Sequence, residues 1–249
     1  MKSLGEGLTP EVLHRWQERN RLRATAAEIA AAEAPDLEVC SACGGGGWVL
    51  VGPQRRRADL SRCRDCTTAE TRISDAQIPA RYRTATLASF RPLAGKTAAL
   101  REAEAWDGRS SLVLVGPVGT GKTHLACALL VREQERRGVG LYVSVPELLE
   151  AIRARYGGDQ GASAQAYMQQ TAAMPLLLLD DLGAERATDW AVEQLAMLID
   201  RRYRDELVTI VTTNMRSRGA LADHLGDRTA SRIGEWRWIA VEGQHMRDR

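Results

Sequence analysis

The sequence predicts an α/β protein built on a parallel sheet with helices packed on both faces. Three observations point there. Five short apolar runs between residues 111 and 241 alternate with helical stretches. These runs are apolar almost throughout, the pattern of strands buried on both sides. A glycine-rich stretch, GPVGTGKT at 116–123, falls where the first run gives way to a helix.

In chain order, the predicted strands are SLVLV (111–115), GLYVSV (140–145), PLLLLD (175–180), LVTIVTT (207–213) and RWIAV (237–241). A clear intervening helix is 189–204, where Leu195, Leu198 and Ile199 share a face. GGDQGASAQ (157–165) reads as a surface loop or a poorly defined helix. Ahead of the sheet, residues 10–34 read as a helix, with Thr9 as N-cap and Pro10 in the first helical position. Val12, Leu13, Trp16 and Leu22 give it a short apolar stripe, and Pro35 ends it. Residues 36–70 are rich in glycine and arginine and hold four of the five cysteines; Pro79 and Pro92 break the connecting stretch after them. The expected organisation is an N-terminal module over 1–70, a linker over 71–110 and a core over 111–249. No internal repeat is visible.

The length of 249 residues suits one good-sized domain with a small appendage. A net charge of +2 and a pI near 8.3 are too mild to announce a nucleic-acid binder. Lys2, Lys96 and Lys122 are the only lysines; the remaining positive charge is arginine. No apolar run approaches the roughly 20 residues needed to span a bilayer. The opening MKSLGEGLTPEVLHRW lacks an apolar signal core. A cytoplasmic protein without membrane association is expected.

A strand, GPVGTGKT and then a helix form the phosphate-binding loop pattern in its required context. Gly116, Gly119 and Gly121 allow backbone amides to turn inward around phosphates, and the helix N-terminus favours negative charge. Lys122 is placed to reach the β- and γ-phosphates, and the Thr123 hydroxyl to ligate Mg²⁺. With Pro117, Val118, Thr120 and the following His124, these residues make up the expected nucleotide-binding set. A glycine turn without ligand is the competing reading, but the full eight-residue pattern and its context both match.

LLLLDDLG (176–183) ends an apolar strand in two carboxylates, at the sheet edge where such folds bind ligands. Asp180 is the expected Mg²⁺ ligand, directly or through water. Asp181 is the expected base, or orienter, for a water attacking the γ-phosphate, with a helix cap as the plainer alternative. Asn214, ending LVTIVTTN, reads equally as a water-positioning amide or a turn residue. In GDRTASRIGE, Arg228 and Arg232 stand four residues apart on one helical face. They suit a finger to a neighbouring subunit's phosphate, or a solvated face in an arginine-rich chain.

Several of these segments, in this order, resemble the DnaC/IstB group of AAA+ ATPases, which holds helicase loaders and transposition helpers. The likeness runs over residues 71–249, through IPARYRTATLASF, GPVGTGKTHLACAL, LYVSVPELLEAIRARY, LLLLDDLGAE, IVTTN, GDRTASRIGE and VEGQHMRDR. It implies a P-loop AAA+ (ASCE) core in which the strand before Asn214 lies between those carrying the phosphate loop and the acids. It assigns Asn214 as first sensor and favours Arg232, with Arg228 beside it, as the finger; it also implies no C-terminal helical lid. It further implies ATP and Mg²⁺ as cofactors, self-association through the core, and a DnaB-type replicative helicase and single-stranded DNA as partners. A transposition helper acting on duplex DNA is the alternative.

Cys40-x₂-Cys43, nineteen residues, then Cys63-x₂-Cys66 is the spacing of a four-cysteine zinc site. Four thiolates leave no open position, so the expected Zn²⁺ is structural and supplies folding energy to a small ribbon. Two symmetric pairs argue against a redox motif. Arg55, Arg56, Arg57, Arg62 and Arg64 crowd this segment, while Trp48 is its lone aromatic. Some loaders of the resembling group hold the helicase through such an N-terminal region, so partner docking is expected here ahead of DNA reading. Cys127 reads as a buried small apolar residue.

Overall fold

The computed structural model describes residues 48–50, 60–62, 76–90, 97–137, 140–156 and 161–242. The expected helix at 10–34, the cysteines Cys40, Cys43, Cys63 and Cys66, and the closing VEGQHMRDR beyond residue 242 lie outside them. Between the two cysteine pairs, β1 (Trp48–Leu50) and β2 (Leu60–Arg62) form a two-stranded sheet.

The core sheet has five strands: β3 (Leu112–Val115), β4 (Leu141–Ser144), β5 (Leu176–Leu182), β6 (Val208–Thr213) and β7 (Arg237–Ala240). Their spatial order is β4-β5-β6-β3-β7, and every neighbouring pair is parallel. As expected, β6 lies between the strand leading to the phosphate loop and the strand carrying the acids. β3 and β6 are buried along their whole length, which explains their unbroken apolar and threonine runs.

Seven α-helices surround the sheet among the described residues: α1 (Thr97–Glu104), α2 (Lys122–Arg137), α3 (Val145–Tyr156), α4 (Gly161–Ala172), α5 (Asp189–Arg204), α6 (Arg218–Leu225) and α7 (Asp227–Gly234). Val113, Leu177, Leu179 and Val211 bury against Leu148 and Ile152 of α3, Leu195 and Leu198 of α5 and Ile233 of α7. α2 packs across β3 to β6, with Leu125, Leu129 and Leu130 fully buried. Removing each such side chain from water contributes about 1.5–3 kcal/mol.

The sequence reading departs from the structure in three places. α1 occupies part of the stretch read as a connector. The segment 157–165 is helical from Gly161 onward, in α4. β5 does not stop at the first acid but runs on to Leu182 through a register shift between Leu179 and Leu182. That irregularity turns Asp181 to the exposed side, with φ of 58°, while Asp180 stays buried. An aspartate tolerates this left-handed backbone better than most residues.

Arg202 is fully buried, yet every nitrogen of its guanidinium is used. Nε donates to Thr209 Oγ1 (2.9 Å), Nη1 to the carbonyls of Ala172 (2.9 Å) and Met174 (2.7 Å), and Nη2 to the carbonyl of Val208 (2.5 Å). One side chain thus ties α5, the end of α4 and the start of β6 together. Burial lowers its ionisation to about 9, still above neutrality, so the charge persists and the four acceptors compensate it.

Candidate nucleotide site

The phosphate loop closes around one carbonyl. Thr120 Oγ1 and Lys122 Nζ both donate to Pro117 O, at 3.0 and 2.8 Å. Gly119 and Gly121 hold φ of 78° and 94°, which a side chain would strain. At Gly116 the constraint is space: a Cβ there would lie 2.2 Å from the carbonyl oxygen of Val241, which follows β7.

Lys122 is 5% exposed and also donates to Asn214 Oδ1 at 2.7 Å. An ammonium has three protons, so two are committed to the protein and one can serve a phosphate. Burial lowers its ionisation, while Asp181 and Asp180 act to raise it and Arg216 to lower it. Asn214 therefore does more than turn the chain after β6: its amide meets the lysine of a loop 92 residues away.

Asp180 is 3% exposed and collects three hydroxyl donors. Oδ1 accepts from Thr212 Oγ1 (2.6 Å) and Thr123 Oγ1 (3.0 Å), and Oδ2 accepts from the Tyr142 hydroxyl (2.9 Å). Burial raises its ionisation above the usual carboxylate range, and the hydrogen bonds and Asp181 only modulate that. A buried carboxylate beside a threonine hydroxyl at the mouth of a phosphate loop is a hard-oxygen donor set that fits Mg²⁺. A cation there offsets the desolvation that burial imposes. Thr212 also accepts from the Asp181 N–H at 2.9 Å, so one hydroxyl fixes both acids. The cap of the following helix is Thr188, which accepts from Ala191 N at 3.2 Å. Asp181 is therefore not that helix's cap.

At the other end of the site, Ser89 Oγ lies 3.0 Å from His124 Nε2. The rings of Phe90 and Tyr82 stand 5.9 and 6.3 Å from the imidazole. Burial lowers the ionisation of His124, which favours the neutral ring. The segment 76–90 thus packs against the helix that begins in the phosphate loop.

The arginines of α7 lie on different terms. Arg228 is 78% exposed and reaches Asp200 Oδ2 at 3.2 Å. Arg232 is 14% exposed, is ion-paired with Asp200 Oδ1, and stacks over the Tyr203 ring at 5.4 Å.

Tyr142, Thr212, Ser89 and Phe90 were not singled out by sequence reasoning. Thr212, lying within IVTTN, had a usable signal: a threonine in a buried strand beside an acid-bearing strand must satisfy its hydroxyl. Tyr142 carried none.

The IstB-like ATP binding protein family is matched over residues 81–232. The ATP-binding protein of insertion sequence IS1162 from Pseudomonas fluorescens is 36% identical over 110 residues, 44% of this chain and 46% of that protein. The replicative helicase loader DnaC of Escherichia coli (strain K12) is 25% identical over 149 residues, 59% of this chain and 60% of the loader. The chain thus spans only about half to three fifths of these two relatives. The crystal structure of the DnaC helicase loader superposes with a TM-score of 0.58 at 30% identity, over 66% of this chain and all of that one. The phosphate loop, the acid pair at the sheet edge and β6 between their strands make this an AAA+ P-loop core, and the chain belongs to the IstB-like ATP binding protein family.

Proposed function

We propose that this protein is an ATP-dependent helicase loader, hydrolysing ATP to control its assembly with a replicative helicase and delivery of that helicase onto single-stranded DNA. The observation that carries the reading is the likeness to the DnaC helicase loader structure over that chain's whole length, with Lys122, Thr123, Asp180, Asp181 and Asn214 gathered at one sheet edge.

In this reading the amides of 116–121 and Lys122 hold the β- and γ-phosphates. The chemistry supplied by Mg²⁺, when held by Thr123 and Asp180, is neutralisation of charge on those phosphate oxygens. Asp181, exposed on its bulge, orients a water and takes up its proton. Asn214 ties the lysine to the end of β6 and positions the same water. Arg232, assisted by Arg228, completes the site of a neighbouring copy, so turnover is slow until copies assemble.

The residue 1–70 module docks the helicase, with Zn²⁺ bound by Cys40, Cys43, Cys63 and Cys66. Metal analysis of the full chain is expected to give close to one zinc per chain. With Mg²⁺ kept in excess, a zinc-selective chelator should unfold this module while sparing nucleotide binding; a zinc-free chain that keeps its full structure and partner binding would sink the zinc assignment. The decisive test is a pull-down with the source cell's replicative helicase, with ATP, with ADP, and with residues 1–70 deleted. A complex formed with ATP and lost on deletion supports the loader. The second reading, a transposition helper, draws on the 36% identity to the insertion-sequence protein. It gains if no helicase complex forms and ATP turnover responds to duplex DNA instead.

A further inference from the structure

Tyr142 stands outside every nucleotide-site motif, yet it bonds both Asp180 of the site and Ala76 of the segment that packs against His124. It lies on the edge strand β4, in register with Leu178, with Ser144 in register with Asp180. Residues two apart on a strand share a face and are separated by about 6.6 Å, a span the long phenol covers. Its hydroxyl donates to Asp180 Oδ2 at 2.9 Å. The two threonines both donate to Oδ1, so among the described residues Tyr142 is the side chain on the second oxygen. Its backbone N–H donates to Ala76 O at 2.8 Å. The same residue therefore fastens the segment that brings Ser89 and Phe90 to His124.

We propose that Tyr142 is a positioning residue of the nucleotide site. Its hydroxyl fixes the rotation of the Asp180 carboxylate so that Oδ1 stays turned toward Thr123, the residue with which it would hold Mg²⁺. A carboxylate held only through Oδ1 pivots about that oxygen; a donor on Oδ2 removes the freedom. Such outer partners of a metal ligand are worth about 10–100-fold in affinity or activity. This inference rests on the ATPase reading given above.

The test is Tyr142→Phe, which keeps the ring, its packing and the Ala76 backbone bond and removes one hydroxyl. ATP affinity is measured in EDTA and across a Mg²⁺ titration, with turnover and melting temperature recorded in parallel. The expected result is unchanged affinity in EDTA and about a tenfold loss of the tightening produced by Mg²⁺. The melting temperature should be lowered by only a few degrees, as loss of one bond to a buried carboxylate implies. The Mg²⁺ concentration for half-maximal turnover should rise by a similar factor. Wild-type Mg²⁺ dependence in the variant overturns the proposal, and so does an equal loss with and without Mg²⁺, which would mark a general packing role. A wild-type chain that binds no nucleotide under either condition overturns the ATPase reading and this proposal with it. A wild-type chain that hydrolyses ATP beside an unaffected variant overturns this proposal alone.

Discussion

Lys122→Ala is expected to remove ATP turnover, by on the order of 10²–10³-fold, while leaving the chain folded. The lysine is the cation inside the phosphate loop, 2.8 Å from Pro117 O and 2.7 Å from Asn214 Oδ1. It brings a partly desolvated positive charge to the phosphates, where loss of water strengthens each contact. Alanine is the best helix former, and position 122 opens α2, so the local helix should survive. Two effects should separate on measurement. Binding of ATP weakens because the phosphates lose their cation. Turnover falls further, because charge that develops on the γ-phosphate in the transition state is no longer met. Equilibrium binding of a fluorescent ATP analogue and steady-state phosphate release read the two effects apart. Normal turnover in the variant would mean that this loop is not the working site.

Arg232→Ala is expected to leave ATP binding by the isolated chain unchanged and to abolish the stimulation that comes with assembly. A finger supplied in trans is worth about 10³–10⁵ in rate, so even an incomplete effect should be large. In the single chain Arg232 is held by Asp200 and lies over Tyr203. Presenting it to a neighbour's phosphate requires that Asp200 release it. Asp200 already has a second partner in Arg228, so it need not be left unpaired when Arg232 moves. The same arrangement keeps the stability cost of the substitution small. Arg228→Ala, which removes the assisting arginine, is expected to give the smaller loss of stimulation, and little loss of stability, because that side chain is mostly in water and its ion pair contributes little. Turnover as a function of protein concentration distinguishes the two. If the larger loss falls on Arg228, the roles are exchanged; if both variants keep full stimulation, α7 does not supply the finger.

The acid pair shows where sequence reading was complete and where it stopped. That LLLLDD carries two acids near the C-terminal end of a buried strand is a matter of local pattern, and the structure agrees, with the strand running on to Leu182. That the two acids have opposite surroundings is not local. It depends on the register shift after Leu179 and on Thr212, 32 residues away from Asp180, bonding to both. The same holds for Asn214, which the sequence left as either an amide at work or a turn. Its meeting with Lys122 is fixed by β6 lying beside β3.

Helices tell a similar story. The helix 189–204 was legible because Leu195, Leu198 and Ile199 recur at helical spacing on one face; its Thr188 cap is seen in the structure. α4 was left between a loop and a helix because glycine, serine, alanine and glutamine give it a weak apolar stripe. It is held instead by Ala164, Met168 and Ala172 packing into the core formed with α3 and α5.

The sequence by itself determined the parallel doubly covered sheet, the phosphate loop, the acids and the family, because each is encoded in contiguous residues whose chemistry is specific. The tertiary structure alone decided that Tyr142 holds the far oxygen of Asp180, that Ser89 meets His124, that Arg202 can be buried with its charge, and that Asp200 holds both arginines. These pairings join residues brought together by strand order and helix packing. Hydrogen bonds of a few ångströms act across any separation along the chain, and nothing in the neighbouring residues announces them.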